Sequence, residues 1–222
     1  MSVLRYTRLI DSIISKSKPN ESPTIDSFGH TRAVYNPLKI YSSLLTGNAG
    51  TALRQTITTL DNSIWSMLAI HLAGKIFHEP AWIDRAAAAF DRLIDQQQIT
   101  GEFLAANQTM NPESRWYEEL TTLHAVASYT VRVPTPKRIS AVKRNAEYHL
   151  EQTQPDHATA EPWGLFAFIQ HAPPLADQVL HAMQMQYPQG PAGVPLLLLR
   201  DTLYGLQLLT TDNGPLTTDQ PT

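Results

Sequence analysis

Trp82-Ile83-Asp84-Arg85-Ala86-Ala87-Ala88-Ala89-Phe90-Asp91-Arg92-Leu93-Ile94-Asp95-Gln96-Gln97-Gln98 is the stretch that decides the fold class of this chain. With successive side chains about 100° apart around a helix axis, Ile83, Ala86, Ala87, Phe90, Leu93, Ile94 and Gln97 fall along one stripe. Asp84, Arg85, Asp91, Arg92 and Asp95 fall elsewhere. This is an amphipathic helix lying on the outside of a core. The pattern returns over 137–152, with Ile139, Val142, Ala146 and Leu150 inward and Lys143, Arg144, Glu147 and Glu151 outward. It returns again over 174–186, with Leu175, Val179, Ala182 and Met183 inward.

Between these segments lie stretches that are apolar nearly all round: 63–77, 116–129, 163–169 and 195–209. A helix without a wide charged face must be surrounded by other helices. The order is therefore outer, inner, outer, inner, and an all-α fold of repeated helical hairpins is expected. Pro136, Pro162, Pro174 and Pro195 stand where a first-turn proline sacrifices no hydrogen bond. Asp61, Asn62 or Ser63 supplies a cap for the helix that begins there, and Ser114 for the next. Nearer the N-terminus, 2–17 and 32–45 read as helices, the second in spite of Pro37, with a loop over 19–30. No low-complexity linker divides the chain, so 1–210 is expected to be one domain; 211–222 is a polar, proline-bearing tail expected to be disordered.

A small repeat marks the ends of the outer helices: Gln96 and Gln98, Gln152 and Gln154, Gln184 and Gln186, each pair followed by a breaker, Gly101, Pro155 or Pro188. Side-chain amides at a helix end can bond the last carbonyls and the next segment together, tying one hairpin to its neighbour.

Arg85-Ala86, Phe90, Leu93-Ile94, Gln97 and Gly101-Glu102-Phe103 resemble the QW repeat of the terpenoid cyclase and prenyltransferase superfamily of α/α toroids, as does, more loosely, the stretch from Glu151-Gln152 to Trp163-Gly164. The resemblance implies that the hairpins form a complete or partial α/α toroid. The Asp-x-Asp-Asp acid, the Asp-Asp-x-x-Asp magnesium motif and the zinc cysteine of those relatives are absent, so their chemistry does not transfer. Other α/α toroids act on sugars, and this association is what suggests a saccharide ligand.

Composition narrows function mostly by exclusion. The net charge of -3 arises from 17 basic and 20 acidic residues that are interspersed, so no nucleic acid and no anionic membrane surface is expected as partner. With no cysteine, disulfides, thiolate metal sites and cysteine nucleophiles are impossible. Arg5, Arg8 and Asp11 interrupt any signal-peptide core, and the apolar run 194–199 is too short to span a bilayer, so a soluble, cytoplasmic protein is expected. No Gly-rich phosphate loop, dinucleotide fingerprint or nucleophile elbow occurs, and no cofactor is expected. Asp177 and His181 have the spacing of a metal pair but sit on an outer helix without further ligands; no metal is expected.

In a hairpin toroid the outer-to-inner loops gather at one rim, where this chain is richest in polar and aromatic residues. Asn111, Arg115, Trp116, Tyr117, Glu118 and Glu119 follow the first repeat; Asp156, His157, Glu161 and Trp163 follow the second. Tyr117, Thr121, His124 and Ser128 share a helix face. Tyr117, Glu119, His124, Asp156, His157 and Glu161 are the candidate acid and base residues, as a glycosidase carboxyl pair or as the proton donor and acceptor of a lyase. Trp116, Trp163, Asn111 and Arg115 are the candidate ligand contacts. Each has a structural reading beside it. Glu118 and Glu119 suit a helix N-terminal turn, His124 a satisfied core position, His157 an Asx-type turn, and the tryptophans packing anchors.

Three functions stay open at this level: a saccharide-directed enzyme or binding protein using the rim, a non-catalytic helical scaffold, and a binder of apolar or isoprenoid-like ligands between the inner helices. The rim reading requires both tryptophans to face an open pocket. The scaffold reading expects a protein partner or a second copy at the open edge of an incomplete ring.

Overall fold

The computed structural model describes residues 3–17, 32–45, 47, 50–105, 111–152 and 161–211. Their regular structure is helical: α1 (Val3–Ile14), α2 (Arg32–Leu45), α3 (Thr51–Thr58), α4 (Ile64–Phe77), α5 (Pro80–Asp95), α6 (Pro112–Arg132), α7 (Pro136–Gln152), α8 (Leu165–His171), α9 (Pro173–Gln186) and α10 (Gly193–Thr211). None of these helices is long and apolar enough to cross a membrane. The loop expected over 19–30 and the tail 212–222 lie outside the described residues.

Local chemistry sets the boundaries. Ser63 caps α4, its Oγ accepting from Ser66 N at 3.3 Å, while Asp61 Oδ1 accepts from Ser63 N at 3.0 Å. Hydrogen bonds from Ser66 and Ser63 hold the Asp61 carboxyl below its usual range. Helix α6 starts earlier than the expected Ser114 cap: Asn111 accepts from Glu113 N at 2.9 Å and Pro112 occupies the first turn, which places Ser114 inside the helix. Gly164, at φ 68°, caps α8, so Pro162 and Trp163 precede that helix instead of opening it. Pro37 lies inside α2.

The outer and inner assignment follows the burial. Every residue of 119–130 on α6 is buried, and α8 is buried from Leu165 to Ile169. Helix α5 buries Ala86, Phe90 and Ile94 and leaves its charged flanks outside. Helices α5, α7 and α9 each pack on the helix before them, and α5 also touches α7. Inside, α4 packs on α2 and α6, α6 on α8 and α10, and α8 on α10. Helix α1 covers α10 and α8, and its Arg5 pairs with Asp177 of α9 at 3.2 Å. At the crossing of α4 and α5 a Cβ on Gly74 would lie 2.8 Å from Ile83 Cγ1, so only glycine permits so close an approach. One stack fixes the middle of the bundle: Phe90 of α5 lies flat on Tyr129 of α6, centroids 3.9 Å apart, with the Arg138 guanidinium of α7 5.0 Å from the Tyr129 centroid.

Candidate functional site

At the rim where α5 gives way to α6, the loop between them is fastened from three sides. Gln97 Nε2 donates to Gly101 O at 2.8 Å and to Ala141 O of α7 at 2.9 Å, while Arg144 donates to Gln97 Oε1. The tie between hairpins expected of the Gln-x-Gln pair is made here by the glutamine between them; Gln152, Gln184 and Gln186 are exposed. Gly101, at φ 101°, lets the loop press against α7, where a Cβ would stand 2.6 Å from Arg144 O.

Glu119 completes this joint. Its side chain is buried and its oxygens accept from Phe103 N at 3.1 Å, Leu104 N at 2.6 Å and Asn145 Nδ2 at 3.1 Å. Burial pushes its carboxyl up from the ordinary value, opposed by the hydrogen bonds from Leu104, Phe103 and Asn145. Both oxygens are engaged in holding the loop to α6 and α7. Arg115 belongs to the same joint, donating to Glu102 and to Leu104 O at 3.3 Å. Burial and the Glu102 carboxylate push the neighbouring Tyr148 phenol up to about 12. Asn111 is exposed at the helix cap.

Tyr117, Glu161 and Trp163 come together as the sequence reading expected of the rim. Tyr117 OH donates to Glu161, and Trp163 Nε1 donates to Glu161 Oε2 at 2.7 Å and to Tyr117 OH at 2.8 Å. Tyr117 and Glu161 are half-buried, but Trp163 is 0% exposed. The indole of Trp163 meets Trp65 edge-on at 5.6 Å and His124 at 5.9 Å. Trp116 goes elsewhere, edge-on to His149 of α7 at 4.5 Å. Among the described residues the two tryptophans therefore sit in different packing contacts. Asp156 and His157 lie outside the described residues.

His124 is turned inward, away from Glu119 and toward α10. Its Nδ1 accepts from Gly164 N at 3.3 Å, which leaves Nε2 as the N–H that donates to Asp201 Oδ2 at 3.2 Å. Its ring also stacks on Trp65 at 5.7 Å. Asp201, 3% exposed, accepts in addition from Ser128 Oγ, from Tyr41 OH at 2.5 Å and from Arg132 Nη2 at 3.0 Å. Burial pushes the Asp201 carboxyl up, but the Arg132 charge and the His124 and Ser128 donors outweigh it and hold it well below the usual carboxylate range. Burial and the Asp201 charge push the Tyr41 phenol well above its ordinary value, so its hydroxyl stays a donor.

Ser128, His124 and Asp201 are the residue types of a hydrolytic triad, yet their order is wrong for one. The serine donates to the aspartate, and both imidazole nitrogens are occupied, so no base is available to take the serine proton. What the arrangement does is join helices: Asp201 links α10 to α2 and α6, and His124 extends the link to the start of α8 and to α4. Sequence reading missed Asp201, Tyr41 and Arg132. The available signal was a lone carboxylate in an otherwise leucine-rich inner helix, which demands a buried partner. Among the described residues no group of three histidine, aspartate or glutamate side chains is placed to hold a metal ion. Comparison of the chain with protein-family models, with curated proteins and with solved structures finds no match.

Proposed function

We propose that this protein is a non-catalytic helical scaffold whose ionisable interior residues hold helices in place. The observation that carries this reading is the hub at Asp201, where five inner helices meet and, among the described residues, the carboxylate, the imidazole and the serine hydroxyl are all occupied by one another or by neighbouring helices. Glu119 supports it, since three N–H donors occupy its carboxylate. The arrangement we infer is a partial α/α toroid, with α2, α4, α6, α8 and α10 as the inner ring and α5, α7, α9 and α1 outside. The Tyr41 bond from α2 to α10 and the Arg5 pair from α1 to α9 support that arrangement. The surface left open along the outer helices is the place for a protein partner or a second copy.

One observation favours a second reading. Tyr117 and Glu161 form a half-buried phenol–carboxylate pair at the rim, the groups a saccharide-directed enzyme or binding protein would use. Nitrophenyl glycosides and uronate polysaccharides, offered to the purified protein, separate the two. The scaffold reading expects no turnover, and expects Glu161→Gln and Tyr117→Phe to lower thermal stability only. Turnover that is abolished by Glu161→Gln overturns it.

A further inference from the structure

Away from the rim, at the opposite end of the inner helices, a second group of polar side chains lines a depression in the surface. A cleft of about 430 Å³ opens there between the C-terminal ends of α6, α8 and α10 and the start of α7. This lies within the range of small-ligand sites, about 300–1,000 Å³. Its walls are apolar, made by Ala127, Val131, Ile139, Val142, Phe166 and Leu209.

The polar lining is short and of one kind. Thr130, Ser140, Lys143, Gln170 and His171 contribute donors, and among the described residues no carboxylate lines the cleft. Thr130 is 6% exposed and its Oγ1 has no hydrogen-bond partner among the described residues. Lys143 is paired only loosely, 3.8 Å from Glu147, with both side chains about half in solvent at 54% and 44%. Burial, and after it the Lys143 charge, pushes the His171 imidazole down to about 4, so at neutral pH the ring is uncharged and retains one donor and one acceptor.

We propose that this cleft binds a small amphipathic carboxylate, its head on Lys143, Ser140 and His171 and its apolar body against Val131, Phe166 and Leu209. Charge complementarity selects the anion, because among the described residues the only charged lining group is a lysine and no carboxylate stands in the lining to repel one. Apolar walls with a few convergent donors select an amphipath over a small polar anion, since a compact anion would leave Phe166 and Leu209 wet. The proposal is independent of the scaffold reading: it concerns the far end of the bundle and survives if the rim proves catalytic.

Calorimetric titration with octanoate, and with octanamide as the uncharged probe of the same shape, tests it. Saturable octanoate binding is expected, with octanamide about tenfold weaker. Lys143→Gln, a change at an exposed position, should erase that preference while leaving thermal unfolding unchanged. Ser140→Trp, which fills the mouth of the cleft from another exposed position, should abolish binding of both probes. In proton NMR the His171 ring should titrate higher with octanoate present than without it. Failure of octanoate to saturate at millimolar concentration, equal binding of the two probes, or octanoate binding that survives Ser140→Trp overturns the proposal.

Discussion

Replacing Asp201 by asparagine keeps the shape of the hub and removes its charge. Four donors then converge on a neutral amide, half of which is itself a donor, and the Arg132 guanidinium, with a side chain 8% exposed, loses its counter-charge. Breaking a buried ion pair from one side costs about 3–5 kcal/mol, because the remaining charge stays out of water. Against a total stability of about 5–15 kcal/mol this is a large fraction. At roughly 2–4 °C per kcal/mol for a domain of this size, the midpoint should fall by roughly 6–20 °C. Urea unfolding followed by tryptophan fluorescence reads the loss directly, because Trp65 and Trp163 lie against His124. Adding Arg132→Met to Asp201→Asn removes the stranded cation and should restore about half of what was lost. The sign of the pH dependence follows from the same geometry. The folded carboxyl sits below its unfolded value of about 3.9, so its contribution is complete above that value and is lost as pH falls further. A cost below about 1 kcal/mol for Asp201→Asn, or no recovery in the double variant, would refute the claim that this group joins the inner helices.

Two further outcomes follow from groups elsewhere in the core. Tyr129→Phe should be neutral or stabilising by up to about 1 kcal/mol, since the phenol oxygen is buried without a partner among the described residues while the ring stack on Phe90 is retained; a loss above about 1 kcal/mol by urea unfolding contradicts this. Burial, followed by the charges of Lys75, Arg132 and Arg138, pushes the His71 imidazole down to about 4, and burial does the same at His171. Unfolded imidazoles take up protons near 6.5 while these two do not, so stability is complete above about 6.5 and falls as pH drops toward about 4. Chemical unfolding at stepped pH checks the slope, and a His71 ring that titrates near 6.5 in NMR contradicts the cause.

Periodicity made most of the helices readable, because whether a side chain faces core or solvent depends on spacing along the chain; it missed α3, and on α7 Leu150, read as inward, is exposed while Arg138, Asn145 and His149 are buried. The stripe through Ala86, Phe90 and Ile94 is buried in the structure as its spacing predicts. Caps were legible in part: Ser63 was among the expected residues, whereas Asn111 displaced Ser114 because the proline that follows it fits the first helical turn. The rim residues fared unevenly for a reason of the same kind. Tyr117, Glu161 and Trp163 meet, since two consecutive inner helices bring their starts to one end. Trp116 and Trp163 hold similar places in the sequence but point to different neighbours, because Trp116 lies within a helix and Trp163 just ahead of one.

By itself, then, the sequence determined the all-helical class, most of the helical segments though not α3, and the inward stripe of α5; these depend on side chains a few residues apart. Only the tertiary structure decided that Glu119 fastens a loop, that Asp201 gathers Tyr41, His124, Ser128 and Arg132, and that Thr130, Ser140, Lys143, Gln170 and His171 line one cleft. Those facts rest on contacts between residues as much as 160 positions apart, and the use a buried carboxylate is put to is set by whichever donors the packing of other helices delivers to it.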